Sequence, residues 1–163
     1  MSDYLRTHVW RGAFLAHALE AAARTVVDQA DAMLRTHGLD IPSRAVSTLL
    51  LIGERREITQ SEIARTLDHP HQLAGQRIAL LTAAGLVDRP KVGADRRRRL
   101  LTLTPRGEIQ FARLGRLLAQ ADRAFADLST ELGADLLVLP SRLEAALEGK
   151  SLTDRISATA GTS

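Results

Sequence analysis

Apolar residues recur at helical spacing through most of this chain. Leu15, Leu19, Ala22, Val26, Ala30 and Met33 stand three or four apart, which predicts one long helix over residues 4–37 with a single apolar face. Gly38 follows the last turn, a common helix stop, and Pro42 falls in the loop beyond. Three shorter helices come next. The first, about Ser43–Gly53, carries Ala45, Val46, Leu49, Leu50 and Ile52. The second opens on Thr59-Gln60-Ser61-Glu62, a capping box in which hydroxyl and carboxylate satisfy each other's backbone donors, and turns Ile63, Ala64 and Leu67 inward. The third, about His71–Ala84, sets Ala74, Ile78 and Leu81 on one side and Gln72, Gly75, Gln76 and Ala79 on another.

After Gly85 the period changes. Residues 86–92 and 99–104 read as two short strands, with Gly93-Ala94-Asp95 as the turn and Pro90 at a position an edge strand tolerates. Pro105 then opens a second long helix, where Phe111, Leu114, Leu118, Ala121, Phe125 and Leu128 alternate three and four apart, the seam of a helix that packs on other helices. Leu136, Leu139, Leu143 and Leu147 predict a final helix, bent or restarted at Pro140. Residues 149–163, rich in Ser, Thr, Gly and Ala, read as a flexible tail. The predicted fold class is mostly α with a small antiparallel β-hairpin. It divides into an N-terminal dimerisation helix (1–38), a winged helix-turn-helix lobe (39–104), C-terminal dimerisation helices (105–148) and the tail, within one structural domain.

Composition narrows the function. With 163 residues, 45 % of them apolar, the chain can bury one core, but three Phe, one Tyr and one Trp leave that core to Ala and Leu. The absence of cysteine removes disulfides, thiolate metal sites and thiol chemistry. No apolar run nears the roughly 18 residues of a membrane span, and the first residues lack a secretory pattern, so a cytoplasmic chain with no membrane partner is expected. The net charge is only +3, yet all but two of the 22 basic residues are arginine, and Arg96 to Arg99 are consecutive. No nucleophile elbow, zinc-protease helix, phosphate loop or carboxylate pair is present, so no enzyme, cofactor or metal site is expected. His69 and His71 lack an acidic partner.

Three helices followed by a two-stranded wing is the order of a winged helix-turn-helix. The glutamines of the third helix suit bidentate pairing with adenine edges in the major groove, and the small Gly75 and Ala79 would let the backbone approach; an ordinary solvated helix face has the same pattern. Arg96, Arg97 and Arg98 beside a turn suit the negative potential of a narrow minor groove; a solvated charge run is the alternative.

Three stretches carry a family resemblance. Residues 58–67, Ile-Thr-Gln-Ser-Glu-Ile-Ala-Arg-Thr-Leu, and residues 80–89, Leu-Leu-Thr-Ala-Ala-Gly-Leu-Val-Asp-Arg, resemble the second motif helix and first wing strand of the MarR family of bacterial regulators. Residues 95–107 resemble its wing signature, an Asp-x-Arg followed by Leu-Thr-x-x-Gly. The resemblance spans about residues 10–148 and is strongest over 58–107. It implies that Gln72, Leu73, Gly75, Gln76 and Arg77 lie at or near the groove, with phosphate as the alternative contact for Arg77. It implies that Arg97 enters the minor groove beside Arg96 and Arg98, and that Asp95 braces the wing. It further implies a homodimer on a palindromic duplex operator, probed at Leu15, Leu19, Phe111, Leu118, Phe125 and Leu143, acting as a repressor. Release by a small aromatic effector near Trp10 and His17 is the expected control. The chain departs from the family at His69-Pro70-His71, Thr82 and Pro140. The alternative reading is a winged helix that binds protein without specific DNA recognition.

The arginine run generates one expectation directly. Arg97→Ala should weaken binding to all duplexes and flatten the dependence of log affinity on log salt by about one unit. Titrations at several salt concentrations check it, and parallel lines for mutant and wild type refute it.

Overall fold

The computed structural model describes residues 2–88 and 100–160. It contains two compact units, Met1–Gly115 and Arg116–Ser163. The first holds the segments 1–38 and 39–104 together with the opening turns of 105–148.

The N-terminal region departs from a single helix. Helix α1 spans Asp3–Thr7, a tight turn covers Arg11–Phe14, and α2 runs Leu15–Thr36. The break has a local cause. β-Branched Thr7 and Val9 and then Gly12 weaken helix propensity. The Trp10 backbone N–H donates to His8 Nδ1 at 3.1 Å, and the His8 ring gathers Tyr4, Trp10 and Phe14 with centroids 5.1, 5.6 and 5.3 Å away. A side-chain acceptor and a ring cluster replace the helical ladder.

The lobe follows as α3 (Val46–Arg55), entered through a tight turn at Ser43–Ala45, then strand β1 (Ile58–Thr59), α4 (Gln60–Thr66), α5 (His71–Ala83), β2 (Val87–Asp88) and β3 (Leu100–Leu103). The capping box forms: Glu62 N–H donates to Thr59 Oγ1 at 3.3 Å, and Thr59 N–H to Glu62 Oε2 at 2.8 Å. The sheet has three strands in the order β1-β3-β2, all antiparallel, with Ile58 opposite Leu101 and Val87 opposite Leu103. The hairpin pattern anticipated two of them; β1 is two residues long and too short for a periodic signal. Residues 89–99, which include the turn and Asp95, Arg96, Arg97 and Arg98, lie outside the described residues. The core joins Leu49 and Ile52 of α3, Ile63 of α4, Ala74, Ile78 and Leu81 of α5, Leu86, Leu101 of β3 and Leu34 of α2, each at most 2 % exposed. Only aliphatic groups stand among these, and burying each leucine or isoleucine contributes about 1.5–3 kcal/mol.

Helix α6 spans Pro105–Leu132. Its start is tied to the end of α5. Gly85, with φ of 68°, closes α5 through bonds from Gly85 N–H to Thr82 O (3.0 Å) and Leu86 N–H to Leu81 O (2.9 Å). Thr104 Oγ1 donates to Gly85 O at 2.8 Å and accepts from Gly107 N–H at 2.9 Å, while Thr104 N–H reaches Leu86 O at 3.0 Å. A Cβ on Gly107 would overlap the Leu86 carbonyl oxygen. The Leu-Thr-x-x-Gly run is thereby explained: the threonine caps one helix and clasps the previous one, and the glycine makes room.

Within the second unit, Asp135 Oδ1 accepts from Leu137 and Val138 N–H at 2.9 and 3.0 Å and starts α7, Val138–Gly149. Pro140 sits in the first turn, where no backbone donor is required, so the helix restarts there rather than bends. The expected tail is corrected: Leu152–Ala160 form helix α8. Ser151 Oγ accepts from Asp154 N–H at 3.1 Å and donates to its carboxylate at 2.7 Å, and Arg155 caps α7 by donating to Ala146 O at 2.6 Å and Lys150 O at 3.0 Å. Composition alone favoured a coil; the cap and the arginine make the helix.

Gly107→Ala should destabilise the chain by at least about 2 kcal/mol, because the new methyl meets backbone. Gly115→Ala, in a helix interior with nothing within 4 Å of the added methyl, should be neutral or stabilising by up to about 1 kcal/mol. Thermal unfolding of the two variants side by side tests the contrast; equal midpoints would contradict it.

Candidate nucleic-acid interface

Helix α5 is held from below by Ala74, Ile78 and Leu81, all fully buried. The periodicity that buries these three leaves Gln72, Gln76 and Ala79 exposed on another side of the helix. Its N-terminal end is fixed by α4: Gln60 Nε2 donates to His71 O at 3.1 Å and lies 3.2 Å from His71 Nδ1. The turn between α4 and α5 passes through Asp68 at φ of 49°, and His69 N–H returns to Ala64 O at 2.8 Å. The helix is braced by core and cap, and its two exposed glutamines carry amide forks, each able to donate and accept at once.

The predicted residues do not all fall on that exposed face. Gln72 and Gln76 are exposed, whereas Leu73, Gly75 and Arg77 are half-buried. Gly75 also has a neighbour within the chain. A Cβ there would stand 2.9 Å from Gln60 Nε2, the far end of a flexible α4 side chain, so the bracing glutamine lies beside the glycine. Spacing along α5 could not reveal this, because the neighbour belongs to another helix.

Arg77 has its Nε buried without a hydrogen-bond partner among the described residues. Burial, and after it the charge of Arg44, hold its guanidinium below the usual arginine value. Arg44 lies in the exposed turn ahead of α3 and was not singled out from the sequence, where nothing but its charge marks it. Among the described residues neither arginine has an ion-pair partner. The two arginines make this flank of α5 basic, which suits an anion such as a phosphate.

The remaining candidates divide. Leu15, Leu19 and Phe125 are 51 %, 47 % and 43 % exposed, and Leu118 and Leu143 are half-buried. Phe111 is half-buried, and its ring packs against Gly53 of α3 in its own chain: a Cβ on Gly53 would stand 2.6 Å from it. Trp10 is 71 % exposed within the His8 cluster and His17 is exposed on α2. The open groove there is lined by Leu5, Phe14, Leu15 and Ala18 with Arg6, Arg11 and Gly12, and by neither Trp10 nor His17. Among the described residues no three His, Asp or Glu gather as metal ligands, and no helix is long and apolar enough to cross a membrane.

Comparison with known proteins accords with this geometry. Residues 38–98 match the model of the MarR family. Among solved structures, the transcriptional regulator MosR of M. tuberculosis in complex with DNA is 24 % identical with a TM-score of 0.61. The match covers 85 % of this chain and 98 % of that one. The S. aureus MepR–DNA complex is 18 % identical with a TM-score of 0.58, over 78 % of this chain and 96 % of that one. Both likenesses show the fold. No curated protein matches the chain.

Gln76→Ala should relax base preference at one position by about 1–3 kcal/mol while leaving the salt slope intact. Comparing the duplexes that mutant and wild type select checks this; identical preferences at every position exclude a base contact by Gln76.

Proposed function

We propose that this chain, whose residues 38–98 match the model of the MarR family, is a transcription regulator of that family that binds specific duplex DNA as a homodimer. The observation that carries the reading is α5: a helix braced on two sides whose free face offers Gln72 and Gln76 and no charge. Exposed amides with no hydrogen-bond partner among the described residues suit base edges, and the charges of Arg44 and Arg77 suit the phosphate backbone. The wing arginines Arg96, Arg97 and Arg98 extend the contact to the adjacent minor groove on the strength of the sequence signature.

Dimerisation is supported by apolar side chains exposed on helices flanking the lobe, Leu15 and Leu19 on α2 and Phe125 on α6. Two copies related by a twofold axis would read an inverted repeat whose half-sites are about 34–36 Å, or a multiple, apart. Repression in the cytoplasm, relieved by a small aromatic ligand, completes the reading and rests on the family resemblance.

The test begins by selecting duplexes from a randomised pool with the full chain. Inverted repeats with that spacing, together with a scattering mass twice that of the chain, are the expected result. Phe125→Glu should halve the mass and cut affinity for the selected site at least about tenfold, since each lobe then binds one half-site alone. A pool that emerges unenriched refutes DNA recognition, and a wild-type monomer at micromolar concentration refutes the dimer.

A further inference from the structure

Three polar side chains lie along one face of α6 at i, i+4 and i+7: Arg106, Gln110 and Arg113. All three bind the segment that leaves α2. Arg113 Nη2 donates to His37 O at 2.9 Å, Gln110 Oε1 accepts from Asp40 N–H at 3.1 Å, and Arg106 Nη2 donates to Asp40 Oδ2 at 2.6 Å. Gln110 is only 6 % exposed, whereas Arg106 and Arg113 lie at the surface. Arg106 alone of the three also reaches α5. Its other terminal nitrogen, Nη1, donates to Ala84 O at 3.3 Å, and Ala84 is the cap residue of α5. One guanidinium thus bridges the C-terminal end of α5 to the connection between α2 and α3.

Helix α5 is therefore pinned at both ends by side chains: by Gln60 at His71 and by Arg106 at Ala84. The apolar contacts of Ala74, Ile78 and Leu81 hold it down but resist tilting weakly, because dispersion between aliphatic groups has little direction. Bidentate pairing to a base edge is lost by small changes of angle, whereas phosphate contacts tolerate them.

We infer that Arg106 is a positioning residue for sequence recognition, locking the tilt of α5 through the Asp40–Arg106–Ala84 bridge without touching DNA itself. The inference rests on the DNA-binding reading and deepens it. The fork is what matters, since a lysine carries the charge but cannot span both acceptors in fixed geometry.

The experiment compares wild type, Arg106→Ala, Arg106→Lys, Asp40→Ala and the double variant Asp40→Ala/Arg106→Ala. Each is titrated with the duplex that wild type selects and with a scrambled duplex, at several salt concentrations. The ratio of specific to scrambled affinity should fall about tenfold in every variant, with scrambled affinity and salt slope unchanged. The double variant should be no worse than the worse single one, because both break one bridge. If Arg106→Ala lowers both affinities together and flattens the slope by about one unit, Arg106 is a phosphate contact and the inference falls. Parallel loss of both affinities with an earlier thermal midpoint and an unchanged slope reduces Arg106 to a general structural residue and also overturns it. So does a ratio that stays at the wild-type value, or additive losses in the double variant. A wild type that does not distinguish the two duplexes refutes the DNA-binding reading itself, a result separate from any of these.

Discussion

The lobe depends on the close approach of two backbones where α5 ends and α6 begins. Gly85 turns the chain out of α5, and the Leu86 carbonyl then occupies the space that a side chain on residue 107 would fill. Thr104 holds the contact from both directions, donating to Gly85 and accepting from Gly107. A hydroxyl both donates and accepts, which no aliphatic isostere can do. β3 enters this junction and α6 leaves it, so the sheet, the exposed helix and the long helix take their mutual placement within the lobe from one hydrogen-bonded crossing.

The exposed face of α5 shows how function is left over when structure is satisfied. Ala74, Ile78 and Leu81 take the buried side, Gly75 takes in the Gln60 side chain, and the C-terminal end is closed by its own turn and by Arg106. What remains outward is amide and methyl. Surface helices usually meet solvent with charge. Here the charge is displaced to the flank, at Arg44 and Arg77, where burial of Arg77 and, after it, the charge of Arg44 disfavour the protonated Arg77 guanidinium.

Much of this was legible in the sequence because the signals are local. The Thr59–Glu62 box, the Gly85 stop, the Pro105 start and the periodicity of α5 each lie within a few residues, and the structure realises each. The misreadings share the opposite property. β1 exists only because β3 pairs with it. Gly75 and Phe111 take their roles from Gln60 and Gly53 on other helices. The N-terminal break and α8 are exceptions, local features that hydrophobic periodicity does not carry: a ring cluster around His8, and a serine cap with an arginine that reaches back nine residues to Ala146. Arg44 lies in the turn ahead of α3 and Arg77 on α5, so neither marks the other in sequence. Periodicity tells which side of a helix is inward; it does not tell which neighbour waits there.

The cluster at His8 has an optical consequence. Trp10 and Tyr4 are the chain's sole indole and sole phenol, and both border the same imidazole, while the interior of the lobe is aliphatic. Near-ultraviolet absorption and emission therefore originate almost wholly from the first ten residues. Intrinsic fluorescence will follow burial or release of that segment, with the neighbouring imidazole as a quencher, and will stay nearly blind to melting of the lobe.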